Sequence, residues 1–298
     1  MTYSARLILL VCITLILPVC VFAEESLQEE IVIGLIPEIN IFKQSQRYDH
    51  LTEYLSKKIG IKITTKVLIR YGNILDNFKS QNLDGAFFGS FTGAIAHIRL
   101  NLEPLARPVN MDGTSTYHGH IIVRKDSGIK SVKDMKDKTM AFVDKATTAG
   151  YIFPLAYLKE NGIADINEFF KEYYFAGSHD HVANDVLNKK ADIGALKNTV
   201  YNRMLNENPR IKEELVILAD SAQVPSNSLC LNKTIDKYIR RKLKTALLNM
   251  DRDVEGIKVL EKFRAINFVD TSEADYAVVL DIVRKAGIDI NEYDYMNN

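Results

Sequence analysis

Charge of one sign is what this 298-residue sequence lacks first, since 38 lysines and arginines stand against 38 aspartates and glutamates. That balance leaves no electrostatic footprint for nucleic acid, and no such partner is expected. Cysteine is scarce too. Cys12 and Cys20 lie in the apolar opening, and only Cys230 follows. One thiol cannot close an internal disulfide, so no disulfide framework is available even in an oxidising compartment. Cys230, in the apolar, strand-like SLCLN, reads as a buried and inert thiol. No Gly/Ser-rich or low-complexity linker divides the chain. A nucleophile elbow is also missing, because Gly89 directly precedes Ser90 and no base and acid are arranged around Ser90, Ser178 or Cys230. No enzyme, catalytic residue or cofactor is therefore expected. What the chain does have is a hydrophobic content of 47%, enough for one large or two medium domains.

The opening MTYSARLILLVCITLILPVCVFAEES carries a lone positive charge at Arg6, an apolar stretch from Leu7 to Phe22, and Ala23 before Glu24. This layout predicts a cleaved export signal over residues 1–23 and a periplasmic or otherwise extracytoplasmic mature protein. A retained membrane anchor is the alternative, although the stretch is short for a bilayer span. A lipid anchor on Cys20 is disfavoured by bulky Val19, where a small residue is wanted.

From EIVIGLIP onward, strand-like and helix-like segments alternate twice over. The first series runs through IKITTKVLI, YGNILDNFKSQNL, DGAFFGS and FTGAIAHIRLN. The second runs from KTMAFVD through EYYFAG, HDHVANDVLNKK and ADIGALK to TVYNRMLNENP. Such alternation predicts an α/β fold of two lobes, each a mostly parallel sheet flanked by helices. ELVILADSAQVPSNSLCLN reads as extended, and the tail from Thr234 to Gly287 as three helices without further strands, returning to the first lobe. The predicted division is residues 24–118 plus 225–298 for one lobe and 119–224 for the other, with short crossings near Gly119 and Val224. Two short crossings make a cleft that can close on a ligand.

DKATTAGYIFPLAYLKENG, residues 144–162, places two threonines, an alanine and a glycine before a helical run. A turn of this kind presents backbone N–H groups and hydroxyls at a positive helix end, which suits an anion. The simpler alternative is that Thr147 or Thr148 only caps the helix.

Taken together, VIGLIPE, the tyrosine of IRYGNIL, DGAFFGSFT, TYHGHIIVRKDS, TTAG, GSHDHV and SAQVP resemble, in order and spacing, the phosphate-, phosphite- and phosphonate-binding subunits of ABC-type importers. The resemblance covers roughly Ile31 to Phe263. It implies a type II-like periplasmic binding protein that captures a small oxyanion for a membrane permease, and a monomer is expected. It makes Tyr71 and Tyr117 cleft residues, alongside Ser90 at a strand end. Thr147 and Thr148 become hydroxyl donors, Ala149 and Gly150 backbone donors, and His179 a partner for an oxyanion.

Departures from the family pattern bear on the ligand. Where relatives that take 2-aminoethylphosphonate resemble one another in carrying two acids, this chain has Thr199 and Asn227, with Lys197 nearby. An ammonium would lack a compensating charge there. Ala149 replaces a serine of the family turn and removes one hydroxyl. Phosphite, methylphosphonate or phosphate is therefore expected ahead of the aminoalkyl compound. Two other readings stay open: a sensor subunit that hands its closed form to a membrane receptor, and a zinc-binding protein in which the HGH pair (His118, His120) and the HDH pair (His179, His181) converge.

Overall fold

The computed structural model describes residues 30–36, 41–68 and 73–296. Residues 1–23, read above as an export signal, and Tyr71 lie outside these described residues. The chain begins with β1 (Glu30–Leu35), α1 (Ile41–Ile59), β2 (Lys62–Val67), α2 (Asn73–Ser80), β3 (Gly85–Phe88), α3 (Ser90–Leu100), β4 (Leu102–Asn110) and β5 (Thr116–Tyr117). It continues with β6 (Gly119–Arg124), β7 (Thr139–Phe142), α4 (Phe153–Glu160), α5 (Ile166–Phe169), β8 (Glu172–Phe175), α6 (His179–Leu187), β9 (Ile193–Lys197), α7 (Asn198–Glu207), α8 (Pro209–Glu214) and β10 (Leu215–Asp220). The last part holds β11 (Val224–Pro225), β12 (Ser228–Asn232), α9 (Lys237–Leu248), α10 (Val254–Phe263), β13 (Ala265–Asp270) and α11 (Ala277–Lys285).

These elements form two sheet bodies. The first has the order β13-β4-β12-β3-β1-β2 and the second β10-β6-β9-β7-β8. In the first, β1 to β4 share a direction, with β12 inserted antiparallel between β3 and β4 and β13 antiparallel at the edge. In the second, only β6 runs against its neighbours. β5 and β11 pair antiparallel as a separate ribbon, Tyr117 opposite Val224, where the chain passes between the bodies.

Side-chain alternation explains how the first sheet is covered on both faces. Ile31, Ile33, Leu35 and Phe87 pack with Tyr48, Leu51 and Leu55 of α1 and with Leu243, Leu260 and Phe263 of α9 and α10. Ile36, Ala86 and Phe88 face the other way, into a core that includes α3 and continues into the second body. In α1 the buried residues recur at three- and four-residue spacing, and Gly60, at φ +77, ends the helix.

The three tail helices occur, but the expectation of no further strand fails. AINFVD forms β13, which pairs with β4 from Ala265–Asn110 to Asp270–Ala106. Six residues directly after a helix are too short for periodicity to separate from helical continuation. α11 lies between the two bodies, against α3 of one and α4 of the other. Beyond it, Arg99 donates from Nε to the Ile290 carbonyl (2.8 Å) and from Nη2 to that of Tyr293 (3.1 Å), while Tyr293 donates from its hydroxyl to the Lys145 carbonyl (3.1 Å). None of the described helices is long and apolar enough to cross a membrane.

Candidate functional site

A small cavity lies between the two sheet bodies, beside the β5–β11 ribbon. Gly89, Ser90, Phe91 and Thr92 come to it from the start of α3, Tyr117 from β5, Ala146 to Ala149 from the turn after β7, His179 from the start of α6, and Lys197 and Asn227 from the ends of extended segments. The room for the centre of a water-sized sphere is about 20 Å³. That is little more than one such sphere occupies, about 10–15 Å³.

The local sequence explains why so many polar groups meet here. α3 starts directly after a fully buried strand, and its N-cap, Gly89, makes no side-chain cap hydrogen bond. The first N–H groups of a helix have no acceptor inside it. A helix start without a side-chain cap therefore presents donors and partial positive charge to the cavity.

The same holds for the turn. Thr147 is the N-cap of a π-helical segment, Thr148–Ile152, that runs into α4, and it too makes no side-chain cap bond. The capping alternative for these threonines is thus not what the structure contains. Instead Thr147 donates its hydroxyl to the Asp144 carbonyl (2.6 Å), and the Asp144 carboxylate accepts from the Ala146 N–H (2.8 Å). The Thr147 hydroxyl proton, which the sequence reading assigned to a ligand, is used within the turn.

Thr148 is placed differently. Its Oγ1 lies 2.6 Å from Ser90 Oγ, which in turn lies 2.6 Å from Tyr117 Oη. Three hydroxyls, one from each body and one from the ribbon, form a buried chain. Ala149 lines the cavity, while Gly150 does not. The glycine is required by packing, because a Cβ there would meet Val143 at 2.5 Å and Thr147 Oγ1 at 2.7 Å.

His179 is buried as the first residue of α6, whose cap is Ser178. Its Nδ1 accepts the Lys197 backbone N–H (3.1 Å). A nitrogen that accepts carries no proton, so the ring N–H is on Nε2. Lys197 itself is the residue that sequence reasoning used only as a repeller of ammonium. Its Nζ stands 4.2 Å from the Tyr117 ring centre and donates to Asn227 Oδ1 (3.5 Å). None of the described residues lining the cavity is acidic. Its position at the carboxyl end of a sheet strand, where ligands of open α/β sheets bind, is the signal that could have marked it.

Thr199 is not in the small cavity. It sits in α7 and, with Lys197 and Asn227, lines a wider adjoining groove of about 490 Å³ by the same measure. The expected convergence of four imidazoles also fails. His179 points into the cavity region, His181 is exposed on α6 with Nδ1 3.3 Å from the Ala176 carbonyl, and His118 and His120 lie together on the edge of β6. A helix spaces HDH by about 200°, which sends the two rings apart.

The arrangement is a set of hydroxyl, imidazole, ammonium and backbone donors without a carboxylate, and it suits a small oxyanion. Comparison with known proteins agrees in kind. The family profile described as the periplasmic substrate-binding protein of phosphonate ABC transporters matches residues 33–276. The phosphate-import protein PhnD of Mycolicibacterium smegmatis is 26% identical over 272 residues, covering 85% of this chain and 84% of the relative. A probable ABC transporter phosphite-binding protein, PhnD1 of Prochlorococcus marinus, is 24% identical, covering 85% of this chain and 88% of that one. The solved structure of PhnD1 from that organism with methylphosphonate superposes with a TM-score of 0.76 at 22% identity, covering 87% of this chain and 99% of that one, a likeness of fold. With the profile spanning most of its length, this chain belongs to the periplasmic substrate-binding proteins of phosphonate ABC transporters.

Proposed function

We propose that this chain captures phosphite, methylphosphonate or phosphate in preference to 2-aminoethylphosphonate and delivers it, as a monomer, to an ABC permease. In this reading residues 24–118 plus 225–298 and residues 119–224 are lobes that rotate about the β5–β11 ribbon. Tyr71, Ser90, Tyr117, Thr147, Thr148, Ala149, Gly150, His179, Thr199 and Asn227 serve the ligand directly or shape its surroundings, and Lys197 joins them.

The observation that carries this reading is the hydroxyl chain Ser90–Tyr117–Thr148 beside the Lys197 ammonium, drawn from both bodies into one small cavity. An oxyanion arriving there exchanges hydroxyl–hydroxyl hydrogen bonds for charge-assisted ones, which are roughly twice as strong. Because the donors come from both bodies, the ligand binds the closed form best, and differential affinity is what drives closure. Binding alone does this work, without a nucleophile or a base.

Size and charge together select the ligand. A cavity of about 20 Å³ by that measure leaves no room for a bulky ligand, so even a compact oxyanion enters only as the two bodies part and its donors separate. A longer substituent has to leave toward the adjoining groove past Lys197 and Asn227, the two residues that the spaces share. That groove holds Arg47, Arg203, Lys262 and Arg264 besides Lys197, against Asp180 and Glu207, so an aminoethyl ammonium would meet mainly like charge.

A thermal-shift panel with phosphate, phosphite, methylphosphonate, 2-aminoethylphosphonate and sulfate tests this reading. A ligand at 100 times its Kd adds about 2.7 kcal/mol of stability. Stabilisation by a small phosphorus oxyanion and not by the aminoalkyl compound is the expected result. Equal or stronger stabilisation by 2-aminoethylphosphonate would overturn the selectivity argument.

A further inference from the structure

We infer that His118, His120 and Asp220 form a second binding site, for a divalent metal of the zinc class, at the point where both crossings enter the second sheet body. His118 and His120 flank Gly119 at the start of β6, and Asp220 ends β10 directly opposite His120 in the antiparallel ladder. One donor atom from each of the three residues lies within 4.8 Å of the other two. His120 Nδ1 and Asp220 Oδ1 are 2.5 Å apart, and the two imidazole rings meet edge to face at 4.9 Å.

Strand geometry brings these groups together. A period of two puts residues 118 and 120 on one side of the chain, and a ladder pair puts the facing strand's carboxylate beside them. The intervening Gly119 faces the other way. A Cβ there would meet Ala149 Cα at 3.0 Å and Phe153 at 2.8 Å, so that side is closed against the anion turn. The metal ligands therefore point away from the oxyanion cavity, and the site is separate from it.

The donor set is also held in place. His120 is buried and packs edge to face on Tyr201 at 5.4 Å. The His118 backbone exchanges hydrogen bonds with Asn198, N–H to Oδ1 and carbonyl to N–H, both at 3.0 Å. Gly119 and Ser221 are clipped together in the same manner, at 2.8 and 2.9 Å. The Asp220 side chain, by contrast, is 57% exposed, which leaves an entry path and a position for water.

Two imidazoles and one carboxylate with an open fourth position suit zinc, and nickel or copper(II) by ligand type. Zinc bonds of about 2.0–2.1 Å require donor atoms roughly 3.3 Å apart in a tetrahedron. The half-buried His118 and the exposed Asp220 are the side chains that would have to rotate to reach this spacing around the buried His120 ring.

The test uses untagged mature protein stripped with a chelator and titrated with zinc by calorimetry, and with cobalt(II) by visible absorption. One zinc per chain at micromolar Kd or tighter is expected, with the intense absorption bands of four-coordinate cobalt. His118→Ala and Asp220→Asn should each weaken zinc binding at least tenfold, and His181→Ala should leave it unchanged. Folding of each variant is checked by its melting curve. Absence of zinc binding in the wild type, or wild-type affinity in both His118→Ala and Asp220→Asn, would overturn the assignment. The oxyanion panel on the zinc-free protein is read separately, so the two sites stand or fall independently.

Discussion

Ser90 Oγ in the first sheet body and Thr148 Oγ1 in the second are 2.6 Å apart, a direct hydrogen bond across the cleft. The two hydroxyls sit on elements 58 residues apart in sequence, and both are buried. Tyr117 Oη extends the chain into the connecting ribbon. Contact between the bodies is thus made by the same groups that would greet an oxyanion.

Ser90→Ala removes the hydroxyl that Tyr117 and Thr148 share. Oxyanion affinity should fall by about 1–3 kcal/mol, or roughly 5- to 150-fold. Isothermal titration with the best ligand of the panel measures this, and an unchanged Kd would remove Ser90 from the site.

Lys197→Met keeps the bulk against Tyr117 and deletes the ammonium. Losing a charge-assisted partner should weaken oxyanion binding by about 1.5–3 kcal/mol. The same variant should narrow the gap between methylphosphonate and 2-aminoethylphosphonate, because part of the repulsion is gone. Competition titration of the two compounds reads that ratio, and an unaltered ratio would mean that Lys197 does not discriminate.

Gly150→Ala should destabilise the fold, since its Cβ would lie 2.5 Å from Val143. Forcing an extra methyl into a packed site costs about 1–3 kcal/mol. Thermal or urea unfolding of the ligand-free protein checks this. A melting curve identical to wild type would show that the turn yields easily.

The Cys230 thiol is fully buried in β12, with Ser228 and Tyr276 as neighbours, and burial pushes its pKa up to about 12. A raised pKa keeps it protonated throughout the neutral range, and the thiolate is the reactive form. In a chain lacking residues 1–23, and so Cys12 and Cys20, thiol reagents at pH 8 should leave the native protein unlabelled and label one site in denaturant. Rapid native labelling would contradict the burial.

Much of this architecture is legible in the sequence because it depends on local pattern. Ile31, Ile33 and Leu35 declare a strand, and the repeated change from period two to helical period declares two α/β series. The turn at 147–150 is legible because small residues precede an apolar helix. What is not legible depends on contacts between distant segments. Which of the two hydroxyls stays within the turn and which reaches the other body is decided by the Asp144 carbonyl, which accepts from Thr147, and by Ser90, which pairs with Thr148. Lys197 looks like the polar end of a strand until the Tyr117 ring is beside it. Asp220 lies 100 residues from His120, a spacing that no motif could have joined. The HDH imidazoles diverge because those residues begin a helix, whereas His118 and His120 flank Gly119 in extended backbone at the start of β6.

Beside the two crossings, α11 and the residues after it bridge the two sheet bodies, where Arg99 grips the Ile290 and Tyr293 carbonyls and Tyr293 bonds to Lys145. Two crossings alone would act as a free axle. A third strap set off from that axle works as a tether, and Lys145 lies within the loop that carries the threonines. If the lobes open as proposed, α11 has to slide over α4 or the Tyr293 hydroxyl has to be released. In the two-lobe reading, the reach of the segment from α11 to Tyr293 limits how far the bodies can part, as the ribbon does at the other side.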